Sequence, residues 1–324
     1  MCTAATYKTK DHYFGRTLDL ECSFGESVVI TPRNYPIKFR TKDAMTSHNA
    51  IIGMAIIVEN HPLYYDATNE YGLSMAGLNF PQNAFYNEPM TDKDNIAPFE
   101  FIPWILGQCK DITEARKLVE RINLVNINFN NEFPLTPLHW IIADKESAIT
   151  VESMKDGLKI YDNPIGIMTN NPPFDIQMFN LNNYMSLSAK PPVNNFSDKL
   201  NLTKYSRGMG ALGLPGDLSS ASRFVKASFT KLNSVAGESE SESVSQFFHI
   251  LGSVEQQRGC VILDKGEYEI TVYTSCCNTD KGIYYYTTYE NNQISAVDMN
   301  REDLNGSSLI SYSLIKGQQI KFQN

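Results

Sequence analysis

The second residue of the chain is a cysteine, and a cysteine there carries two reactive groups once the initiator Met1 is removed. Removal is the general fate of an initiator methionine that precedes a small residue. The freed α-amine has a reference pKa of about 7.7–8.0 and the thiol one of about 8.5, so the two exchange a proton readily near neutral pH. One residue then supplies both a sulfur nucleophile and its base, the arrangement found in enzymes whose N-terminal threonine is activated by its own amine. A Met-Cys start also arises by chance, and on position alone chance is the better reading. Residues 14–19, Phe-Gly-Arg-Thr-Leu-Asp, bring Arg16 and Asp19. A guanidinium close to Cys2 lowers the thiol pKa and enlarges the thiolate fraction. A carboxylate close to the amine holds it and tunes its proton affinity. In a regular strand Arg16 and Asp19 face opposite ways, so both reach Cys2 only where the strand bends, bulges or ends near Thr17. Taken alone, Arg16 reads as an ion-pairing surface residue.

Other motifs are weaker. The five histidines form no HExxH or other metal spacing. His139, within Leu-His-Trp-Ile-Ile-Ala-Asp, reads as a hydrogen-bonded core histidine on a strand. Residues 208–213 match Gly-x-Gly-x-x-Gly formally, but no strand-turn-helix context with a ribose-binding acid accompanies them. Six scattered cysteines are too few for a disulfide framework in a chain of 324 residues.

The elements that must position Cys2 follow from patterning. Residues 2–7 and 13–20 read as a hairpin, and 51–58 and 73–80 as buried strands. Helical periodicity covers 98–109 and 112–124, with Asp111 as the cap of the second. Residues 136–162 return to strands, with Asp156-Gly157 as a hairpin turn. An irregular span over 186–218 precedes helices at 220–232 and 243–256, between which residues 237–245 (Gly-Glu-Ser-Glu-Ser-Glu-Ser-Val-Ser) read as a solvated loop. Strands at 268–276, 281–289 and 293–298 close the chain. Strands at both ends with helices between predict a layered α+β fold and one domain over 1–324. A hydrophobic fraction of 42% builds a sizeable core, and the net charge of −8 gives no reason to bind nucleic acid. No run approaches the roughly 18 apolar residues of a membrane helix, and the first fifteen residues have no signal-peptide core. A cytoplasmic location is the expectation.

The stretches Met-Cys-Thr-Ala-Ala-Thr-Tyr at the start, Met-Ala-Gly-Leu-Asn-Phe-Pro at 75–81, Pro-Phe-Glu-Phe-Ile-Pro-Trp at 98–104, Thr-Asn-Asn-Pro at 169–172 and Ala-Ser-Arg-Phe at 221–224 follow in order along the chain. On these the chain resembles the choloylglycine hydrolase family, and within it the bile salt hydrolases of gut bacteria. The resemblance implies a four-layer αββα N-terminal-nucleophile hydrolase with no metal and no organic cofactor. It implies that Cys2 is the nucleophile and its amine the general base. Arg16, Asp19 and Arg223 match catalytic positions, and Asn79 and Asn170 match the oxyanion and substrate-orienting asparagines. Leu18, Phe24, Val58, Tyr65, Phe129 and Phe133 become candidates to line a groove for a steroid, although each equally suits core packing. Arg207, in Tyr-Ser-Arg-Gly at 205–208, falls where relatives differ in glycine or taurine preference and can pair a sulfonate. The implied partners are conjugated bile salts and further copies in a homotetramer. A penicillin V acylase is the nearest alternative, and Asn79 weighs against it. A silent binding protein on the same fold is the other, and the intact set of six polar positions weighs against that.

Overall fold

The computed structural model describes residues 1–324. The hairpin of β1 (Cys2–Lys8) and β2 (His12–Leu20) is followed by β3 (Ser27–Thr31), β4 (Ile51–Val58), β5 (His61–Asn69) and β6 (Ser74–Asn79). Next come β7 (Asp94–Ile96), α1 (Phe101–Gln108), α2 (Ile112–Val119) and β8 (Ile122–Leu124). The middle of the chain supplies β9 (Leu138–Ala143), β10 (Ala148–Met154), β11 (Gly157–Asp162), β12 (Ile167–Met168), α3 (Phe174–Asn180), α4 (Ser220–Asn233) and α5 (Glu240–Gly252). The end adds β13 (Ile270–Asn278), β14 (Ile283–Thr288), β15 (Asn291–Asp298) and β16 (Ile310–Ser313).

Two antiparallel sheets form the centre. One has the strand order β12-β1-β2-β13-β14-β15 and the other β11-β10-β9-β6-β5-β4-β3-β16. Strand alternation divides the apolar residues into three cores. Ala4, Phe14 and Leu18 from the first sheet meet Ile52, Ala76 and Ile141 from the second in the space between the sheets. The alternate residues Ile51, Met75 and Trp140 pack under α1 and α2. Ala5, Tyr7 and Tyr13 pack under α4 and α5. The result is helix, sheet, sheet, helix: the four-layer αββα arrangement expected.

Two expectations are corrected. The helix predicted over 112–124 stops at Val119, because Ile122–Leu124 pair in parallel with Asp94–Ile96. The segment 237–245 is not all loop. Ser239 accepts the Glu242 N–H while Glu242 reaches back to the Ser239 N–H, and this capping box starts α5 at Glu240. The charged repeat is therefore a helix start, and Glu240 in it ion-pairs with Lys281. That helix ends at Gly252 rather than 256. The span 186–218 contains one short helical turn at 209–211 and otherwise no regular element.

Where β2 and β13 cross beside Arg16, the approach is closer than a side chain permits. A Cβ on Gly15 would lie 2.0 Å from the Ser275 carbonyl oxygen. Gly15→Ala is expected to cost about 1–3 kcal/mol, read as a lower urea midpoint at unchanged denaturant slope.

Candidate active site

Cys2 opens β1 directly opposite Leu18 of β2, so its side chain shares a face with Leu18 and Arg16. That face looks into the space between the sheets, where Cys2 is 3% exposed and Arg16 1%. Arg16 Nη2 donates to Cys2 Sγ at 2.5 Å. Three further donors go to the carbonyls of Thr17 (3.1 Å), Tyr65 (3.1 Å) and Gly77. Burial works against the guanidinium's charge, but Cys2, Tyr273, Asp66 and Asp19 around it outweigh burial and hold its pKa above the ordinary value. Asp66 is buried behind Arg16 and accepts from Tyr273 (2.6 Å), Tyr284 (2.7 Å) and Ser275 (3.0 Å). No sequence motif pointed to Asp66; its spacing on a strand carries no sign of a charge.

Asp19 faces the other way, toward the helices, as its register with Thr271 of β13 requires. The bend expected near Thr17 is absent. β2 runs unbroken from His12 to Leu20, and the register shift lies on the partner strand between Thr271 and Tyr273. Both residues serve Cys2 because it is approached from two sides: its thiol points between the sheets, while its backbone is held from the helix side. There Arg223 of α4, fully buried, donates to the Cys2 carbonyl (2.6 Å), to Thr3 Oγ1 (2.6 Å) and to Asn170 Oδ1 (2.7 Å). Its Nε binds the Leu218 carbonyl at 3.0 Å, and Asp19 Oδ2 lies 3.9 Å from its Nη1. Thr271 and Thr17 donate to the Asp19 carboxylate at 2.7 and 3.1 Å. Burial pushes the Asp19 carboxyl above the usual range, with Arg223 pulling the other way. Thr3, Thr17 and Thr271 were missed by sequence reasoning; alternate threonines beside an aspartate on strands are the available signal.

Asn170 follows β12 and uses both ends of its carboxamide. Its Oδ1 accepts the Cys2 N–H at 2.8 Å and its Nδ2 donates to the Asn79 carbonyl at 2.7 Å. Its own N–H is held by Ser220 Oγ, at the start of α4 (2.8 Å). The side chain of Asn79, at the end of β6, borders the cavity described next and has no hydrogen-bond partner in the protein. His139 is a core histidine as expected: its ring bridges Glu152 and the Thr169 carbonyl and stacks on Phe80.

A cavity of about 330 Å³ opens onto Cys2 Sγ, Arg16 and Asn79, and fifteen of its 21 lining residues are hydrophobic. Leu18, Phe24, Tyr65, Phe129 and Phe133 line it, with Phe24 half-exposed at the mouth. Val58 does not; it ends β4 next to the hairpin turn, and Ile56 takes its place. Arg207 is exposed in the irregular span and is not part of the lining.

Residues 2–312 match the family of linear amide C–N hydrolases, choloylglycine hydrolase family. A bile salt hydrolase/transferase of Lactiplantibacillus plantarum is 59% identical over 314 residues, 97% of this chain and 97% of its own. A bile salt hydrolase/transferase of Clostridium perfringens is 39% identical over 330 residues, covering 100% of both chains. The crystal structure of the mutant C2A conjugated bile acid hydrolase from Clostridium perfringens superposes with a TM-score of 0.93 at 38% identity over 100% of both chains. Penicillin V acylase from Agrobacterium tumefaciens shares the fold, with a TM-score of 0.74 at 19% identity over 97% of this chain and 92% of its own.

Two buried imidazoles are expected to lower stability at acid pH. His61 packs against Phe99 and Phe129 on the cavity wall, and burial, helped by Arg40, pushes its pKa down to about 4. Burial does the same to His12, also to about 4. Unfolded, each protonates near about 6.5, so the unfolded chain takes up the protons first as pH falls. Stability present above that value is expected to drop between pH 6.5 and 4, by about 3 kcal/mol per histidine. Urea unfolding of His61→Gln across this range should show a shallower pH slope than the parent chain.

Proposed function

The chain belongs to the choloylglycine hydrolase family of linear amide C–N hydrolases, and from that membership we propose that it hydrolyses the amide bond of glycine- or taurine-conjugated bile salts. The observation that carries this reading is the Cys2 thiol set beside Arg16 at the inner end of an apolar cavity. A rigid apolar acid with a polar amide end fits such a cavity, whose volume lies within the usual range for ligand pockets.

The reaction begins once Met1 has left. The Cys2 amine takes the thiol proton while Arg16 stabilises the thiolate. Sulfur attacks the amide carbon, and the free carboxamide of Asn79 donates to the oxyanion. Removal of one such donor costs about 10²–10³ in rate in a well-studied hydrolase. The C–N bond breaks as the Cys2 ammonium protonates the departing glycine or taurine nitrogen, leaving an acyl thioester. Water, deprotonated by the same amine, then attacks the thioester and frees the bile acid and the thiol. Asn170 and Arg223 orient the amine and the Cys2 carbonyl, and Asp19 supports the amine's charge. The balance needs no cofactor, redox partner or metal.

Finer features belong to the same proposal. We read residues 1–324 as one catalytic unit, because β1 and β13–β15 share a sheet and β16 pairs with β3. A homotetramer is supported by the apolar side chains left exposed around the irregular span, among them Phe179, Met185, Phe196 and Tyr205. A cytoplasmic location is supported by six free cysteines, and no helix is long and apolar enough to cross a membrane. For Arg207 to pair a taurine sulfonate, the span that carries it must close on the cavity mouth.

The test is release of glycine and taurine from glycocholate and taurocholate, with penicillin V run in parallel and Met1 removal verified by mass. Release of either amino acid well above penicillin V cleavage is expected. Penicillin V cleavage alone would reassign the substrate, and silence on all three would leave a binding protein. Cys2→Ala should lower turnover by at least about 10³-fold. Asn79→Ala should lower kcat by about 10²–10³ with little change in KM.

A further inference from the structure

Met1 extends β1 by one residue. Its carbonyl accepts the Asp19 N–H at 3.0 Å and its ammonium donates to the Asp19 carbonyl at 2.6 Å. The same ammonium is ion-paired with Glu269, which lies just before β13 and is 4% exposed. No other group in the protein bonds or pairs with the Glu269 carboxylate. Catalysis by the Cys2 amine requires Met1 to be gone, and its departure leaves a buried carboxylate without a partner, an arrangement that costs several kcal/mol unless a charge replaces it.

The replacement is close by. The Cys2 nitrogen stands one strand residue, about 3.4 Å, from the Met1 nitrogen, so the vacated volume separates Glu269 from the new ammonium. The other charged groups around that nitrogen are Asp19 and Arg16 from β2, Arg223 from α4, and Asp217, Lys226 of α4 and the half-buried Glu255, which border the same cavity as Met1. Arg16 serves the thiol. Arg223 spends four of its five N–H donors on Leu218, Cys2, Thr3 and Asn170. Asp19 already accepts from Thr17 and Thr271.

We propose that Glu269 is the positioning residue for the terminal amine: it holds the Met1 ammonium in the unprocessed chain and faces the Cys2 amine once Met1 is lost. This rests on the reading of that amine as the base in amide hydrolysis. A carboxylate there raises the amine's proton affinity, while Arg16 donates to the sulfur. When the S–H bond breaks and an N–H bond forms, both products are then stabilised, one by each side chain.

Glu269→Gln keeps shape and removes the charge. With Met1 absent from both chains by intact mass, the α-amine is titrated by competitive labelling, and kcat/KM for glycocholate is followed from about pH 4 to pH 9. The amine pKa and the acid limb of kcat/KM are expected to fall together by roughly one unit. An amine that titrates as in the parent chain overturns the proposal, because a purely structural glutamate changes the height of the profile and not its position. Labelling reads the amine whether or not glycocholate is cleaved, so a wrong substrate shows as absent turnover in the parent chain while the amine shift is still measured. Should Glu269→Gln not fold, Glu269→Asp withdraws the carboxylate by one methylene and should lower the amine pKa by roughly 0.3 units. An unshifted or raised value there overturns the proposal equally.

Discussion

A guanidinium buried between two sheets is stable only where its N–H groups meet acceptors, and Arg16 places four of its five by bridging the two sheets. It leaves β2, in the six-stranded sheet, and ends on the carbonyls of Tyr65 and Gly77 in β5 and β6 of the eight-stranded sheet. One N–H of Nη2 goes to the Cys2 sulfur. A slip of either sheet by one residue would strand those N–H groups against apolar side chains. The inter-sheet register and the thiol's environment are therefore the same constraint. The carboxylate of Asp66 and the hydroxyls around it answer the guanidinium's charge from behind, keeping the cluster neutral without an acid next to the nucleophile.

The pleat of β1 and β2 separates two tasks that would interfere on one face. The thiol must meet an apolar acyl group, and that face carries Leu18 and opens on the hydrophobic cavity. The amine, the base of the proposed reaction, is held from the face that carries Thr3, Thr17, Asp19 and, above them, Arg223. Placing the polar cluster under α4 lets a helix residue grip the backbone of Cys2. The loop bearing Asn170 is tied to the same helix start through Ser220. Strand, loop and helix thus converge on one residue from three directions.

Much of this was legible in the residues, for identifiable reasons. The apolar run at 51–58 and the cap at Asp111 mark elements by local rules, so their positions followed closely. The helix written over 112–124 failed because Ile122–Leu124 is too short for any pattern and exists only by pairing with Asp94–Ile96. The charged run at 237–245 misled because its composition resembles a solvated linker, while the deciding fact was the Ser239–Glu242 reciprocity inside it. At the site, Cys2, Arg16 and Asp19 were visible as a set, yet a one-strand argument demanded a bend that the fold does not use. That argument assumed a single point of contact, whereas Cys2 presents a side chain to one face and a backbone to the other. Asp66 and Glu269 left no mark, because each owes its role to a neighbour more than two hundred residues away or to the chain terminus.

Maturation sharpens what the side-chain contacts must do. With Met1 present, Cys2 lies inside a ladder, and the two backbone hydrogen bonds between Met1 and Asp19 fix its direction. Each such bond contributes about 1 kcal/mol net, and both disappear with Met1. A terminal residue is otherwise the most prone to fray. The reacting residue is then held by Arg223 on its carbonyl, Asn170 on its nitrogen and Arg16 on its sulfur, one contact on each of its functional groups. Three contacts on three different atoms fix the orientation of a residue that has lost its preceding neighbour. The buried charges that supply them are costly to the fold, and they are the means by which a free chain end keeps a catalytic geometry.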